Sequence, residues 1–329
     1  MDIWLSLKII IKLDLSLAAL FSPSKAKPPL IELADQLNIS RTAIWKAINN
    51  LKDTGYQITS QPRTGYFLED NGYLDAGLIS RYLPTNFNFP LEIHQTIDST
   101  NIRAKQLANK PDLTTPYIII ANQQTNGYGR YGRNFTSPSQ SGIYLSILLA
   151  NEQTEFNPGL LTTAVALAMC RAIEKKLAAS PKIKWVNDVV VDGKKVCGIL
   201  TEGISNLETQ SLSNIVVGAG INYLTADFPE EISQRAGSLR NYALKAKVSR
   251  NEFIAAYLEE FFKLYQTYQT GNFMPEYRAH SNIIGKEVTI TQGTKSFQGN
   301  VVTIDDDGAI VLTDGRKFTS GEVTKIRAN

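Results

Sequence analysis

Residues 126–138, NGYGRYGRNFTSP, decide between two folds, because Gly127, Gly129 and Gly132 reproduce the G-x-G-x-x-G spacing of dinucleotide-binding loops. That spacing marks a doubly wound sheet only when a strand precedes it and a helix follows, the helix N-terminus holding a pyrophosphate. Here Arg133 to Gly142 form a polar loop interrupted by proline, and the next apolar run, Ile143 to Leu149, reads as a strand. The dinucleotide reading therefore fails. No H-R-D, D-F-G or G-K-[ST] tripeptide occurs in the chain, so kinase and Walker loops fail too. What remains is a glycine-rich loop carrying Arg130 and Arg133 beside Tyr128, Tyr131 and Phe135. Guanidinium forks bind carboxylate or phosphate, and glycine backbone closes over a ligand, which points to an anionic, nucleotide-like ligand. A solvated glycine turn is the plainer alternative.

The flanks of the loop supply the architecture. Ile118 to Ile120 reads as another strand, and Pro158 to Leu177 as a helix with Asn157 at its N-cap and proline at N1. In IKWVNDVVVDGKKVCGILTEG, residues 183–203, Asp192-Gly193 predicts a type I′ hairpin turn between two β-prone runs. Ser249 and Glu252 predict a capping box for a helix running to about Thr270. Hairpins among helices make this a mixed sheet. Beyond Ser281, short strands at Glu287 to Thr291, Phe297 to Ile304, Ala309 to Leu312, Arg316 to Thr319 and Glu322 to Ile326 predict a small SH3-like β-barrel.

The N-terminal part is read as a winged helix-turn-helix. Residues 30–53, LIELADQLNISRTAIWKAINNLKD, give two helices about a turn at Asn38 to Ser40, the second capped by Ser40. Ile44, Ile48 and Leu51 are spaced to pack inward, leaving Arg41, Thr42, Trp45, Lys46, Asn49 and Asn50 outside, a mixture of phosphate-binding and base-reading side chains. YQITSQPRTGYFL, residues 56–68, adds a hairpin wing with Arg63 at its tip. Ser40, Arg41, Thr42, Trp45, Lys46, Asn49 and Arg63 are the candidate DNA contacts; a packing or dimerisation module without nucleic acid is the alternative. Residues 1–66 hold eight Lys/Arg against five Asp/Glu, so the first fifth of the chain carries the whole net charge of +3.

The expected class is therefore α+β: a winged helix-turn-helix in residues 1–70, a mixed α/β domain in 80–275 and the β-barrel in 281–329. With 43% hydrophobic and 20% charged residues, the 329-residue chain has an ordinary globular composition, which argues against disorder and membrane spans. The apolar start MDIWLSLKIIIKLDLSLAAL is broken by Lys8, Lys12 and Asp14, and reads as an amphipathic helix rather than a signal or anchor. Cys170 and Cys197 lie far apart, which fits a cytoplasmic protein without disulfides, and no metal-ligand pattern is present around them or around His94 and His280.

DSTN at 98–101, Gln124, GYGRYGR with TSP, KWVND at 184–188, KKVCGIL at 194–200 and GAGIN at 218–222 occur in this order, and together they resemble the bifunctional biotin–protein ligases that also repress the biotin operon. The resemblance covers nearly the whole chain, with a core related to class II synthetases. It implies that biotin and ATP, with Mg2+, give biotinyl-5′-AMP, and that a lysine of biotin carboxyl carrier protein then attacks the mixed anhydride. It further implies operator DNA as a partner and a homodimer favoured by the adenylate. Carried over by position, Lys195, Arg130 and Arg133 are the catalytic cations. Ser99, Thr100, Asn101, Gln124, Tyr128 and Gly129 fall with Arg130 and Lys195 at the biotin end. Gly127, Arg133, Phe135, Asn187, Asp188 and Asn222 fall at the adenylate end, with Asp188 expected to orient the carrier lysine or magnesium. The chain departs from the family pattern in having Tyr128 and Tyr131 for arginine, Val186 for proline and Phe135 for tryptophan. Helix capping by Ser99 or Asp98 is the plainer reading of that segment. Two other functions fit less well: a lipoate ligase, and an effector-binding repressor without catalysis.

Overall fold

The computed structural model describes residues 35, 40–53, 57–61, 65–68, 70, 72–110, 113–151, 156–205 and 212–327. Two compact units result: Met1–Phe87 with Ser249–Ala255, and Asn88–Val248 with Ala256–Asn329.

In the first unit, helix α1 (Arg41–Asp53) starts at Ser40, whose Oγ accepts from the Ala43 N–H at 3.2 Å. This satisfies one of the orphan donors of the first turn. Ile44 and Ile48 are buried, while Arg41, Thr42 and Lys46 are exposed, Asn49 is half-buried, and Trp45 is 54% exposed. An indole left in water on a helix whose apolar stripe is already buried is available for contact. Strands β1 (Ile58–Gln61) and β2 (Gly65–Leu68) pair antiparallel, Ile58 opposite Leu68. The expected first helix of the motif, apart from helical Asp35, and Arg63 at the wing tip lie outside the described residues. Helix α2 (Ala76–Tyr82) is capped by Asp75, which accepts from the Leu78 N–H at 2.9 Å. Ser249 caps the helix Arg250–Tyr265 by accepting from the Glu252 N–H at 3.1 Å, and Asn251 ties it to Asp70 (2.9 Å) and the Tyr73 carbonyl (2.7 Å).

The second unit is organised by a seven-stranded sheet made of β3 (Leu91–His94), β4 (Tyr117–Ala121), β5 (Ile143–Ala150), β6 (Lys182–Lys184), β7 (Asp188–Val191), β8 (Lys194–Ser205) and β9 (Leu212–Ile221). Their order is β3-β4-β5-β9-β8-β7-β6, with β3 and β4 parallel and the other pairs antiparallel. β5 is buried over nearly its whole length, the mark of a central strand covered on both faces. Helix α3 (Thr100–Ala108) packs Ala104 and Leu107 on Ile119, Leu148 and Val216. Helix α4 (Pro158–Leu177) lies against β6, β7 and β8. It is apolar nearly all round, so it is buried over most of its length. Asn157 caps it, accepting from the Leu160 N–H at 2.9 Å; Asn157→Ala would cost about 1 kcal/mol. Asp192 (φ 53°) and Gly193 (φ 75°) both take positive φ between β7 and β8, as a type I′ turn requires.

Helices α5 (Glu230–Ser233), α6 (Arg240–Ala246), α7 (Arg250–Tyr265) and α8 (Met274–His280) follow. α7 stops at Tyr265, short of the expected Thr270, because the Thr267 N–H turns back to the Leu264 carbonyl (3.0 Å) and Tyr265 stacks on Tyr268 at 5.7 Å. The chain continues as a 3₁₀ turn, Tyr268–Thr270. The C-terminal strands β10 (Glu287–Gln292), β11 (Lys295–Ile304), β12 (Ile310–Leu312), β13 (Lys317–Phe318) and β14 (Glu322–Arg327) form an antiparallel sheet, β13-β12-β11-β10-β14. Gly308 and Gly315 supply the left-handed turn positions at φ 84° and 82°.

Candidate active site

A cavity of about 400 Å³ opens in the second unit above β5, β7, β8 and β9. The glycine loop covers it as a tight reversal: the Gly129 N–H donates to the Arg133 carbonyl (2.8 Å), the Phe135 N–H to the Gly127 carbonyl (2.9 Å), and Arg130–Gly132 form a 3₁₀ turn. Strand β5 follows, with no helix, so the loop has no dinucleotide-binding geometry.

One end of the cavity is cationic. Lys195 Nζ lies 2.6 Å from Asp188 Oδ1. Asp188 stands opposite Gly198 on β8, and a Cβ there would come within 3.0 Å of Lys195 Cε and Nζ, so the missing side chain is the space through which the lysine reaches. Arg130 donates to Asn187 Oδ1 (3.2 Å) and to the Gly321 carbonyl (2.9 Å), and Arg133 makes a bidentate pair with Glu322 at 2.7 Å through both nitrogens. The Arg133 bond holds the Glu322 carboxyl below the usual carboxylate range. Tyr131, 67% exposed and at φ 60°, stands between the guanidinium groups at 5.3 and 5.8 Å from its ring centre. Phe135 covers bare backbone: a Cβ on Gly220 would sit 2.5 Å from its ring. Asn222 is the clasp beneath, donating to the Gly237 carbonyl at 3.0 Å.

The other end is polar and uncharged at its surface. Gln124 Oε1 accepts from the Thr100 N–H (2.9 Å) and hydroxyl (3.1 Å), while its Nε2 donates to Ser137 Oγ (3.0 Å). The buried Ser146 hydroxyl lies 2.7 Å from Thr100 Oγ1 and 2.5 Å from Asn101 Oδ1, with a single proton to serve both. Asn101 lies flat on Gly218, where a Cβ would meet its Oδ1 at 2.3 Å. Ser99 occupies the N-cap position of α3 but makes no capping bond; its hydroxyl, with no partner among the described residues, lines the cavity. The capping bond expected of Ser99 is therefore absent, while Asp98 Oδ1 accepts from the Ser99 N–H at 2.7 Å.

Of the residues expected from sequence, Ser99, Thr100, Asn101, Gln124, Tyr128, Gly129, Arg130, Arg133, Phe135, Asn187, Asp188, Lys195 and Asn222 all line this one cavity. Gly127 does not; it packs behind the wall, where a Cβ would sit 2.7 Å from both Gln124 Nε2 and Ser137 Oγ. Ser40, Arg41, Thr42, Trp45, Lys46 and Asn49 belong to the first unit. Asp188, expected to orient an incoming lysine or magnesium, has Lys195 as its partner. Sequence reasoning passed over Ser146, and it gave no role to Gly198, Gly218, Gly220 or Trp185 although its motifs contain them; Trp185 lines the cavity and donates to the Gly308 carbonyl at 2.8 Å. Cys197 lines it as well, but burial pushes its thiol up to about 12, so it is no nucleophile at neutral pH.

Comparison with known proteins identifies the family. The chain matches the biotin/lipoate A/B protein ligase family over residues 93–222, an HTH domain over 25–67 and the biotin protein ligase C-terminal domain over 283–325. It is 32% identical over 290 residues to the bifunctional ligase/repressor BirA of Bacillus subtilis, covering 85% of this chain and 87% of that protein. To BirA of Escherichia coli it is 28% identical over 309 residues, with 89% and 91% covered. The biotin protein ligase of Aquifex aeolicus, solved in complex with biotin and ATP, superposes with a TM-score of 0.62 at 26% identity, over 73% of this chain and 99% of that one. The three domain matches and the 32% identity over 85% of the chain therefore place it in the biotin–protein ligase family, among its bifunctional ligase/repressor members.

Proposed function

We propose that this protein activates biotin with ATP to biotinyl-5′-AMP, transfers biotin to a lysine of biotin carboxyl carrier protein, and represses a biotin operon with the adenylate as corepressor. The observation that carries this reading is one cavity with two unlike ends: a hydrogen-bonding wall of Ser99, Thr100, Asn101 and Gln124, and a cationic cluster of Lys195, Arg130 and Arg133. A ureido ring needs donors and acceptors, whereas a carboxylate meeting an α-phosphate needs positive charge where negative charge accumulates. On this reading Lys195 bridges the two anions. Arg130 and Arg133 exchange Gly321 and Glu322 for phosphate oxygens, and Phe135 offers its face to adenine. Asn187 and Asn222 line the adenylate end, and Asp188 keeps the Lys195 amine aimed into it. Mg2+ enters with ATP as part of the substrate.

The domain limits that fit this reading are residues 1–70, 80–275 and 281–329, with a class II synthetase-like core and a C-terminal SH3-like barrel. The exposed face of α1, with Trp45 and its basic neighbours, suits operator DNA, and a two-fold operator would follow from a homodimer favoured by the adenylate. No described helix is long and apolar enough to cross a membrane. Incubation with biotin, ATP, Mg2+ and a biotin carboxyl carrier domain should attach biotin to the carrier lysine. An unmodified carrier, with no pyrophosphate released, would refute the ligase reading.

A further inference from the structure

Glu202 and Lys105 stand behind the cavity wall: neither lines the cavity, yet both hold side chains that do. Glu202 Oε2 accepts from Asn101 Nδ2 at 2.8 Å and from the Tyr128 hydroxyl at 2.9 Å, and Oε1 accepts from Lys105 Nζ at 2.7 Å. Lys105 Nζ also donates to the Tyr128 oxygen at 3.1 Å and lies 5.5 Å from the centre of its ring. Burial works against the Lys105 ammonium, but its bonds to Glu202 and Tyr128 outweigh it and hold the lysine above its ordinary range. Burial foremost holds the Tyr128 phenol above its own. Both therefore keep their protons at neutral pH.

A carboxylate paired with the Lys105 ammonium presents acceptors, so Asn101 turns its Nδ2 toward Glu202, and its Oδ1 then falls on the Ser146 hydroxyl. A reversed amide would set oxygen against carboxylate. Glu202 thus dictates which way the Asn101 amide faces, and with it the pattern of donors and acceptors that a ligand meets.

We propose that Glu202 is the positioning residue of the polar end, with Lys105 as its counter-charge: it orients Asn101 and Tyr128 to recognise the polar head of the ligand without touching it. The proposal rests on the biotin-ligase reading. It also gives position 128 a meaning, since the tyrosine standing where arginine is usual takes a hydrogen-bonding place at Glu202 while α3 supplies the cation through Lys105.

Glu202→Gln tests this, because glutamine keeps the shape but offers both a donor and an acceptor and no longer dictates the amide. In the full-length chain, KM for biotin in the carrier assay is expected to rise about tenfold, with kcat and KM for ATP within about twofold of wild type and the thermal midpoint retained. Lys105→Met should move biotin KM in the same direction by less. An unchanged biotin KM, or a joint loss of kcat and both KM values with a falling thermal midpoint, overturns the proposal. Should Glu202→Gln not fold, Lys105→Met decides by the same two criteria. Calorimetric binding of biotin by wild type and variant reads the contrast without turnover, so a wild type that binds biotin but leaves the carrier unmodified counts against the ligase reading alone.

Discussion

The two ends of the cavity differ in how their side chains are held. At the polar end Thr100, Asn101, Gln124 and Ser146 are bonded to one another or to Glu202 and Ser137, all within a buried or half-buried wall. Such a surface is set before the ligand arrives and selects by shape and hydrogen-bond pattern. At the cationic end Lys195, Arg130 and Arg133 are bonded to the Asp188 carboxylate, the Gly321 carbonyl and the Glu322 carboxylate. On the proposed function the last two give way to phosphate oxygens while Asp188 stays. Specificity would then be invested in fixed geometry and chemistry in exchangeable charge.

The largest expected effect is at the exchanging end. Lys195→Met should reduce adenylate formation by about 10²–10³-fold, since it deletes a charge aimed at the developing one, and leave circular dichroism unchanged. Pyrophosphate exchange measures it, and full activity would remove Lys195 from the chemistry. Next come the bare-backbone positions, which separate the two ends directly. Gly218→Ala should raise KM for biotin by displacing Asn101, and Gly220→Ala should raise KM for ATP by displacing Phe135, each by about tenfold, in line with an overpacking cost of about 1–3 kcal/mol. If both variants raise the same KM, the cavity does not have two ends.

Ser146→Ala should cost about 1 kcal/mol in stability and raise biotin KM several-fold with ATP KM unmoved, because it removes the proton shared between Thr100 and Asn101. Calorimetry and steady-state kinetics together check it. The smallest effect is a pH dependence. Because Arg133 depresses the Glu322 carboxyl, the pair contributes above the ordinary carboxylate pKa near ~4.3 and is lost as pH falls through the lower folded value. With Arg133 63% exposed the contribution is screened, so wild type and Glu322→Gln should differ by only a few degrees in thermal midpoint at pH 7 and converge in acid.

Local signals carried most of the fold. The Asp192-Gly193 turn, the Asn157 and Ser40 caps and the apolar run of β5 each depend on neighbours in sequence, and each stands where its chemistry points. The end of α7 was less legible, because aromatic stacking of Tyr265 on Tyr268 lies outside capping rules. In the site, the charged loop was visible from its arginines, whereas Glu202 was not. It lies 101 residues from Asn101 and meets it only through the order β5-β9-β8, which no local pattern sets. Ser146 did leave a trace as the one serine in the apolar stretch IYLSILLA. Gly198, Gly218 and Gly220 were visible only as members of the KKVCGIL and GAGIN motifs, without a role, since what matters is which side chain from elsewhere lies over them.

Trp45 and Trp185 give the chain two optical reporters of opposite character. Trp45, on the exposed face of α1, should emit at long wavelength and be quenched by bound nucleic acid; Trp185, sealed and bonded to the Gly308 carbonyl at the cavity wall, should emit at short wavelength and respond to filling of the site. In a Trp4→Phe background, occupancy of the cavity and contact at α1 become separable colours in a single titration.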